Sequence, residues 1–368
     1  MKSNKNVLTE KFLLDSLRKL GDSFYPACIR VIETEKGLQQ SNRRVDVLAE
    51  VAWNKNTFDF FIETSVQFNP KAIQAAIQHS KQMAKQIKAN PLIVTPYLSD
   101  DQLQVLESQQ VSGIDLCGNG IIIVPIRLLI YRTGSPNKYP SSSSIRNVYR
   151  GTSSLIARSF LLRPEYETSQ ELLDEITMRG GEVTLSTISK VCSSLEDDLI
   201  IERKRKGRTT SLRLLQAEKL LNCLIDNYEV PTIRKQFVGK CELDNKEFET
   251  VSQDWREDKQ ERIIQTGTSS MDCYATMARE PIRCYYCTDA TGILERLGNS
   301  VRETDRFPNF QVLETDDPTV YFDIRGNIDA SPLQAFFELN AGDKRERETA
   351  EQIRQQILKD MDTSGRTS

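Results

Sequence analysis

The chain has almost no histidine and no long apolar run. His79 is the only histidine, so Ser-His-Asp or Cys-His hydrolysis has one candidate base at most. A lone His on a polar helix face reads as plain surface. The longest apolar stretch, residues 121–131, is interrupted by Pro125 and Arg127, whereas a membrane span needs about 18 to 20 apolar residues. No transmembrane helix and no membrane partner are expected. The opening MKSNKNVLTEKFLLDSLRKLG reads as a charged amphipathic helix without the apolar centre of a secretion signal, which predicts a cytoplasmic protein. The eight cysteines, at 28, 117, 192, 223, 241, 273, 284 and 287, are scattered through apolar runs and predict free thiols rather than a disulfide framework. Cys284 and Cys287 form one CxxC pair, but with no second pair or nearby histidine they read as strand residues, not as a zinc site.

Carboxylates are missing from residues 116–164, which hold Arg127, Arg132, Lys138, Arg146, Arg150, Arg158 and Arg163. Such a stretch offers a polyanion a surface, or is a solvated linker. Residues 242–368 lean the other way, with 16 bases against 26 acids, a balance suited to a protein partner or to solubility.

The remaining composition is that of a globular protein: 368 residues, 38% apolar and 27% charged, enough for two or three domains. The expected fold class is multi-domain α/β, with boundaries at 1–135, 136–230 and 231–368. TGSPNKYPSSSS, from Thr133 onward, marks the first of them as a linker or long loop.

In the first segment, apolar spacing predicts a helix over residues 7–20. RVDVLAEVAW alternates from Arg44 to Trp53, NKN turns the chain, and FDFFIETSV returns with Asp59, Phe61, Glu63 and Ser65 on one side. Helices are expected over residues 72–89 and from Asp100, with strands at PLIVTPYL and GIDLCGNGIIIVP. Asp46 and Glu63 in this hairpin resemble the two acidic positions of the PD-(D/E)XK restriction-endonuclease-like fold. That resemblance implies a divalent metal, Mg²⁺, held by Asp46 and Glu63 on a scissile phosphate, and a lysine near it. Ser65 occupies the lysine's place, so a degenerate, inactive domain without cofactor is expected. Lys71, Lys81 or Lys85 is the replacement to look for if the domain is active. The bland reading makes Asp46 and Glu63 ordinary polar-face residues.

The second segment carries the strongest pattern. A helix over residues 153–162 precedes one holding Leu172, Leu173 and Ile176, then a Gly180-Gly181 turn. The next helix, capped by Thr184, turns Leu185, Ile188, Val191, Leu195 and Leu199 to a core, and its other face is Ser186, Thr187, Lys190, Ser193 and Ser194. Small polar groups suit entry to the major groove. Two strands follow around Arg203, Lys204, Arg205, Lys206 and Arg208, bases suited to phosphate contacts. The expectation is a winged helix-turn-helix on double-stranded DNA, with Ser186, Thr187, Lys190 and Ser193 toward the bases. Protein contact or dimerisation is the alternative use.

The third segment predicts an α/β unit: IIQTGTSS at residues 263–270, strands at 282–288, 311–313 and 320–324, and helices at 271–278, 292–297, after Ser331-Pro332 and through 351–358. TGTSS before a helix resembles the triphosphate loop of nucleotidyltransferases. The acidic pair of those enzymes is missing, so TGTSS reads as a turn in a non-catalytic domain.

VTPYLS, GIDLCGNG and SPLQAFFELN, in this order around the central segment, resemble the AbiEi-type antitoxin family of type IV toxin-antitoxin systems over residues 40–360. The resemblance implies a transcriptional autoregulator active in phage defence, and a nucleotidyltransferase-like toxin encoded nearby as partner. A homodimer is expected, because one winged helix reads a half-site weakly.

Overall fold

A computed structural model describes residues 8–20, 24–33, 47–139, 148–207, 209–259, 261–276, 282–326 and 328–364. The protein is mixed α/β, with sheets of seven, three and five strands. It divides into two compact units, Met1–Ser143 and Ser144–Ser368. Among the described residues no helix is long and apolar enough to cross a membrane.

The first unit runs α1 (Glu10–Leu20), β1 (Cys28–Glu33), β2 (Val47–Trp53), β3 (Asn56–Thr64), α2 (Pro70–Ile87), β4 (Asn90–Thr95), α3 (Asp100–Ser108), β5 (Ser112–Asp115), β6 (Gly120–Val124) and β7 (Leu128–Arg132). Sheet order follows chain order, and only β3–β4 and β4–β5 are parallel. Those are the two pairs joined by α2 and α3, as parallel crossovers require. Alternation in β2 buries Val47, Ala49 and Val51, which pack with Leu13 and Leu17 of α1 on one sheet face. The opposite face packs Ile93, Ile121 and Ile123 under Ile73 and Ile77 of α2 and Leu103 and Leu106 of α3. Pro70 opens α2 behind an Asn69 cap, and a Ser99–Gln102 capping box opens α3.

GIDLCGNG closes around Asp115. Its Oδ1 accepts the backbone N–H groups of Cys117, Gly118 and Asn119, and its Oδ2 accepts the backbone N–H of Leu98 and the side-chain amide N–H of Asn119. The motif is thus a buried carboxylate holding a tight turn, with Gly118 in a backbone conformation (φ +108) that L side chains rarely adopt.

The second unit runs α4 (Ser153–Leu162), β8 (Glu165–Tyr166), α5 (Ser169–Met178), α6 (Leu185–Asp197), β9 (Ile201–Lys206), β10 (Thr209–Leu214) and α7 (Ala217–Asp226). It continues with β11 (Lys235–Cys241), α8 (Asn245–Lys259), β12 (Ile263–Gln265), β13 (Arg283–Cys287), α9 (Ala290–Leu297), β14 (Val301–Glu303), β15 (Phe310–Glu314), α10 (Pro332–Ala341) and α11 (Lys344–Ser364). The three-stranded sheet is β8-β10-β9 and the five-stranded one β12-β13-β15-β11-β14. One core joins Leu155, Phe160, Ile176, Ile188 and Leu195 with Phe336, Phe337, Ile353 and Ile357 of α10 and α11.

Two expected elements differ. Residues 320–323 form a buried turn rather than a strand, with Asp323 at φ 61, and Ile324 beyond it is exposed. Of the helix expected over residues 271–278, the described part holds a single 3-10 turn, Met271–Cys273, and residues 277 and 278 lie outside the described residues. The TGTSS turn is filled from within: the Thr268 N–H donates to Glu338 of α10, and a Cβ on Gly267 would stand 2.7 Å from the Gln334 carbonyl.

Candidate nucleic-acid interface

The chain from α4 to β10 builds a three-helix core with a two-stranded hairpin beside it. Thr184 caps α6 by accepting the Thr187 N–H, and its hydroxyl also lies 2.9 Å from Ser186 Oγ and 3.0 Å from Thr187 Oγ1. Ile188, Val191, Cys192 and Leu195 of α6 are buried. Around this helix the chain is pinned at both ends. Arg179, at the end of α5, pairs with Glu175 and with Asp323 of the buried turn, and the Tyr149 hydroxyl donates to Asp198 just past α6.

On the outer face of α6, Ser186 and Lys190 are exposed, while Thr187, Ser193 and Ser194 are half-buried. Leu185 does not reach the core; it is 45% exposed, because it is the first residue of α6 and the core begins one turn later, at Ile188. Ser189 is exposed beside it. Its place, three after Ser186 and four after Leu185, was the available signal that it shares this face.

The hairpin separates its bases. Register pairs Arg203 with Leu212 and Arg205 with Thr210, and Lys204 with Ser211, so Arg203 and Arg205 share the inner face and Lys204 the outer. Arg203 is bound to Glu196 of α6 at 2.6 Å, which lowers its availability to a phosphate. Lys204 pairs with Glu202 at 2.9 Å in an exposed position, where such pairs exchange readily. Arg205 and Arg213 are exposed. Lys206 closes the ladder opposite Thr209, Gly207 turns the chain at φ 62, and Arg208 lies outside the described residues.

The carboxylate-free stretch is not one basic surface. Arg158 is buried in the core, donating to the Thr319 carbonyl and Gln334 Oε1, with its guanidinium over the Phe337 ring; desolvation lowers its pKa to about 10. Arg150 and Arg163 are paired with Glu229 and Glu171. Arg146 lies outside the described residues.

In the first unit Glu63 is buried at the end of β3 and meets His79 Nδ1 of α2 at 2.8 Å, so His79 is a half-exposed partner of a carboxylate rather than plain surface. Sixteen residues and a helix separate the two, so no local spacing announced the pair. Asp46 lies outside the described residues. Ser65 Oγ donates to the Gln67 carbonyl at 2.6 Å, and Lys81 donates to Gln109. Among the described residues no three His, Cys, Asp or Glu side chains converge on a metal position. Cys284 and Cys287 lie in β13, three apart and therefore on opposite faces of the sheet.

Compared with known proteins, the chain matches no family model, and no curated protein and no solved structure is significantly similar to it.

Proposed function

We propose that the protein is a DNA-binding regulator in which the segment from α4 to β10 acts as a winged helix. The observation that carries this reading is the outer face of the first turns of α6: short polar side chains and Lys190, with acids only in the last turn at Glu196 and Asp197, beside a hairpin that offers Lys204, Arg205 and Arg213. A recognition helix needs a face of this kind, and the hairpin bases suit phosphates. More particularly, the order of VTPYLS, GIDLCGNG and SPLQAFFELN supports an AbiEi-type antitoxin that represses its own operon and counters a nucleotidyltransferase-like toxin.

Fluorescence anisotropy on DNA from upstream of the gene, against scrambled DNA of equal length over a salt series, tests the reading. Preference for the upstream sequence at physiological salt is the expected result. Equal binding to both would refute sequence-specific regulation. Co-purification with the product of the neighbouring gene tests the antitoxin role.

A second reading, a metal-dependent nuclease using Asp46 and Glu63, is favoured by the burial of Glu63 against His79. Cleavage of supercoiled plasmid in Mg²⁺ or Mn²⁺ that Asp46→Ala abolishes would establish it. No cleavage would leave the first unit without this activity.

A further inference from the structure

The outer edge of β7 carries features that DNA binding does not use. Among the described residues no strand pairs with β7 on the side away from β6, and proteins usually protect such an edge with charge, proline or a covering element. Here it is apolar: Leu129 is 60% and Tyr131 40% exposed, and Ile126 in the preceding turn is fully exposed. Leu128 and Ile130 point into the core. By register with Ile123 and Ile121, Leu129 and Tyr131 then form one row on the sheet face that α2 and α3 cover, with the exposed Arg127 in the turn just before the strand and Thr133 just after it. An acidic helix start flanks this row, because the Thr133 hydroxyl donates to Asp100 of α3, and Asp101 follows. Burial, and then the charges of Asp100 and Glu107, push the Tyr131 phenol up.

We propose that β7 is a self-association edge on which a second copy of this chain pairs antiparallel about Ile130. In that register Leu129 stands opposite the partner's Tyr131, and Tyr131 opposite the partner's Leu129, two apolar cross-strand contacts. Arg127 stands opposite the partner's Thr133, the residue that carries Asp100. Each copy therefore brings an exposed base to the other's acidic helix start, and two-fold symmetry makes the match twice. This charge complementarity selects a second copy over an unrelated extended peptide, which would have to supply the tyrosine, the acid and the base in one register. A five-residue edge is small beside the about 1,200 Å² of a stable interface, so the dimer dissociates on dilution.

Sedimentation velocity of the full chain over a concentration series tests the proposal without DNA. Wild type is expected to pass from monomer to dimer as concentration rises. Leu129→Lys with Tyr131→Lys, both at exposed positions, is expected to remain monomeric while keeping the wild-type circular dichroism and melting temperature. Arg127→Glu and Asp100→Lys are each expected to lose the dimer alone and to recover it when mixed, since each mixed pair restores two opposite-charge contacts. A wild type that stays monomeric throughout overturns the proposal. So does a dimer that survives the double lysine change, or a mixture of the charge variants that fails to dimerise.

Discussion

Removing the Asp115 carboxylate is expected to destabilise the first unit severely. The side chain is buried and its two oxygens accept five N–H groups, four from the turn at residues 117–119 and one from Leu98. Asp115→Ala leaves all five without that acceptor. If water entering the vacated space satisfies three, the two left unmet at about 2 kcal/mol each give a loss of about 4 kcal/mol. Asp115→Asn keeps one acceptor oxygen for the three turn amides but turns an NH₂ toward Leu98 and the Asn119 side chain, for a loss of about 2 to 4 kcal/mol by the same reckoning. Hydrogen exchange read by mass spectrometry separates the units, because each contributes its own peptides. Faster exchange in β4, β5 and β6, with the second unit unchanged, is the expected pattern. A loss below about 1 kcal/mol for the alanine variant would refute the view that these hydrogen bonds hold the turn.

Other outcomes follow from the same geometry. Burial raises the Glu338 carboxyl from the usual 4.5 to about 7, against the opposing hydrogen bonds from Gln334 and the Thr268 amide. The folded state then keeps a proton that the unfolded chain releases between these values, so stability falls as pH rises from about 4.5 to about 7. Glu338→Gln should flatten the melting temperature across this range, and an unchanged slope would count against the assignment. If the hairpin of β9 and β10 binds DNA, Lys204→Ala and Arg205→Ala should each reduce the slope of log affinity against log salt by about 1, whereas Arg203→Ala, already bound to Glu196, should change it less. Equal effects from all three would show that the Glu196 pair opens on binding. Thr184→Ala removes the cap of α6 and should cost about 1 kcal/mol in urea unfolding; no loss would mean that tertiary packing alone fixes the helix start.

Much of the fold was legible where a local rule decides it. The apolar spacing of residues 153–162 and the Thr184 cap match α4 and the start of α6, because capping and periodicity act within a few residues. Ser331-Pro332 opens α10 for the same reason. Leu185 misled because spacing assigns a face but not how far along a helix the core extends. Residues 320–324 alternate like a strand, yet 320–323 form a turn, held by the Asp323 amide donating to the Arg179 carbonyl and by the Arg179 ion pair, a contact 144 residues away in sequence. Both α8 and β11 escaped notice: α8 is mostly polar, burying only Phe248, Ser252 and Trp255, and β11 lacks a clean apolar alternation. At the candidate site, residue types were readable but their pairing was not. Nothing local in RKRKGR shows that Arg203 turns back to Glu196.

The core that α10 and α11 share with α4, α5 and α6 has a consequence for synthesis. Translation delivers α6 long before Phe336, Phe337, Ile353 and Ile357, so a nascent chain ending near residue 330 leaves the apolar flank of α4 without its cover. Such an intermediate exposes hydrophobic surface and is prone to aggregate or be degraded. The part of the chain that carries α6 is therefore finished only by residues made after the whole of β11 to β15, and chains that stop before α10 are poorly able to persist as competitors of those that include it.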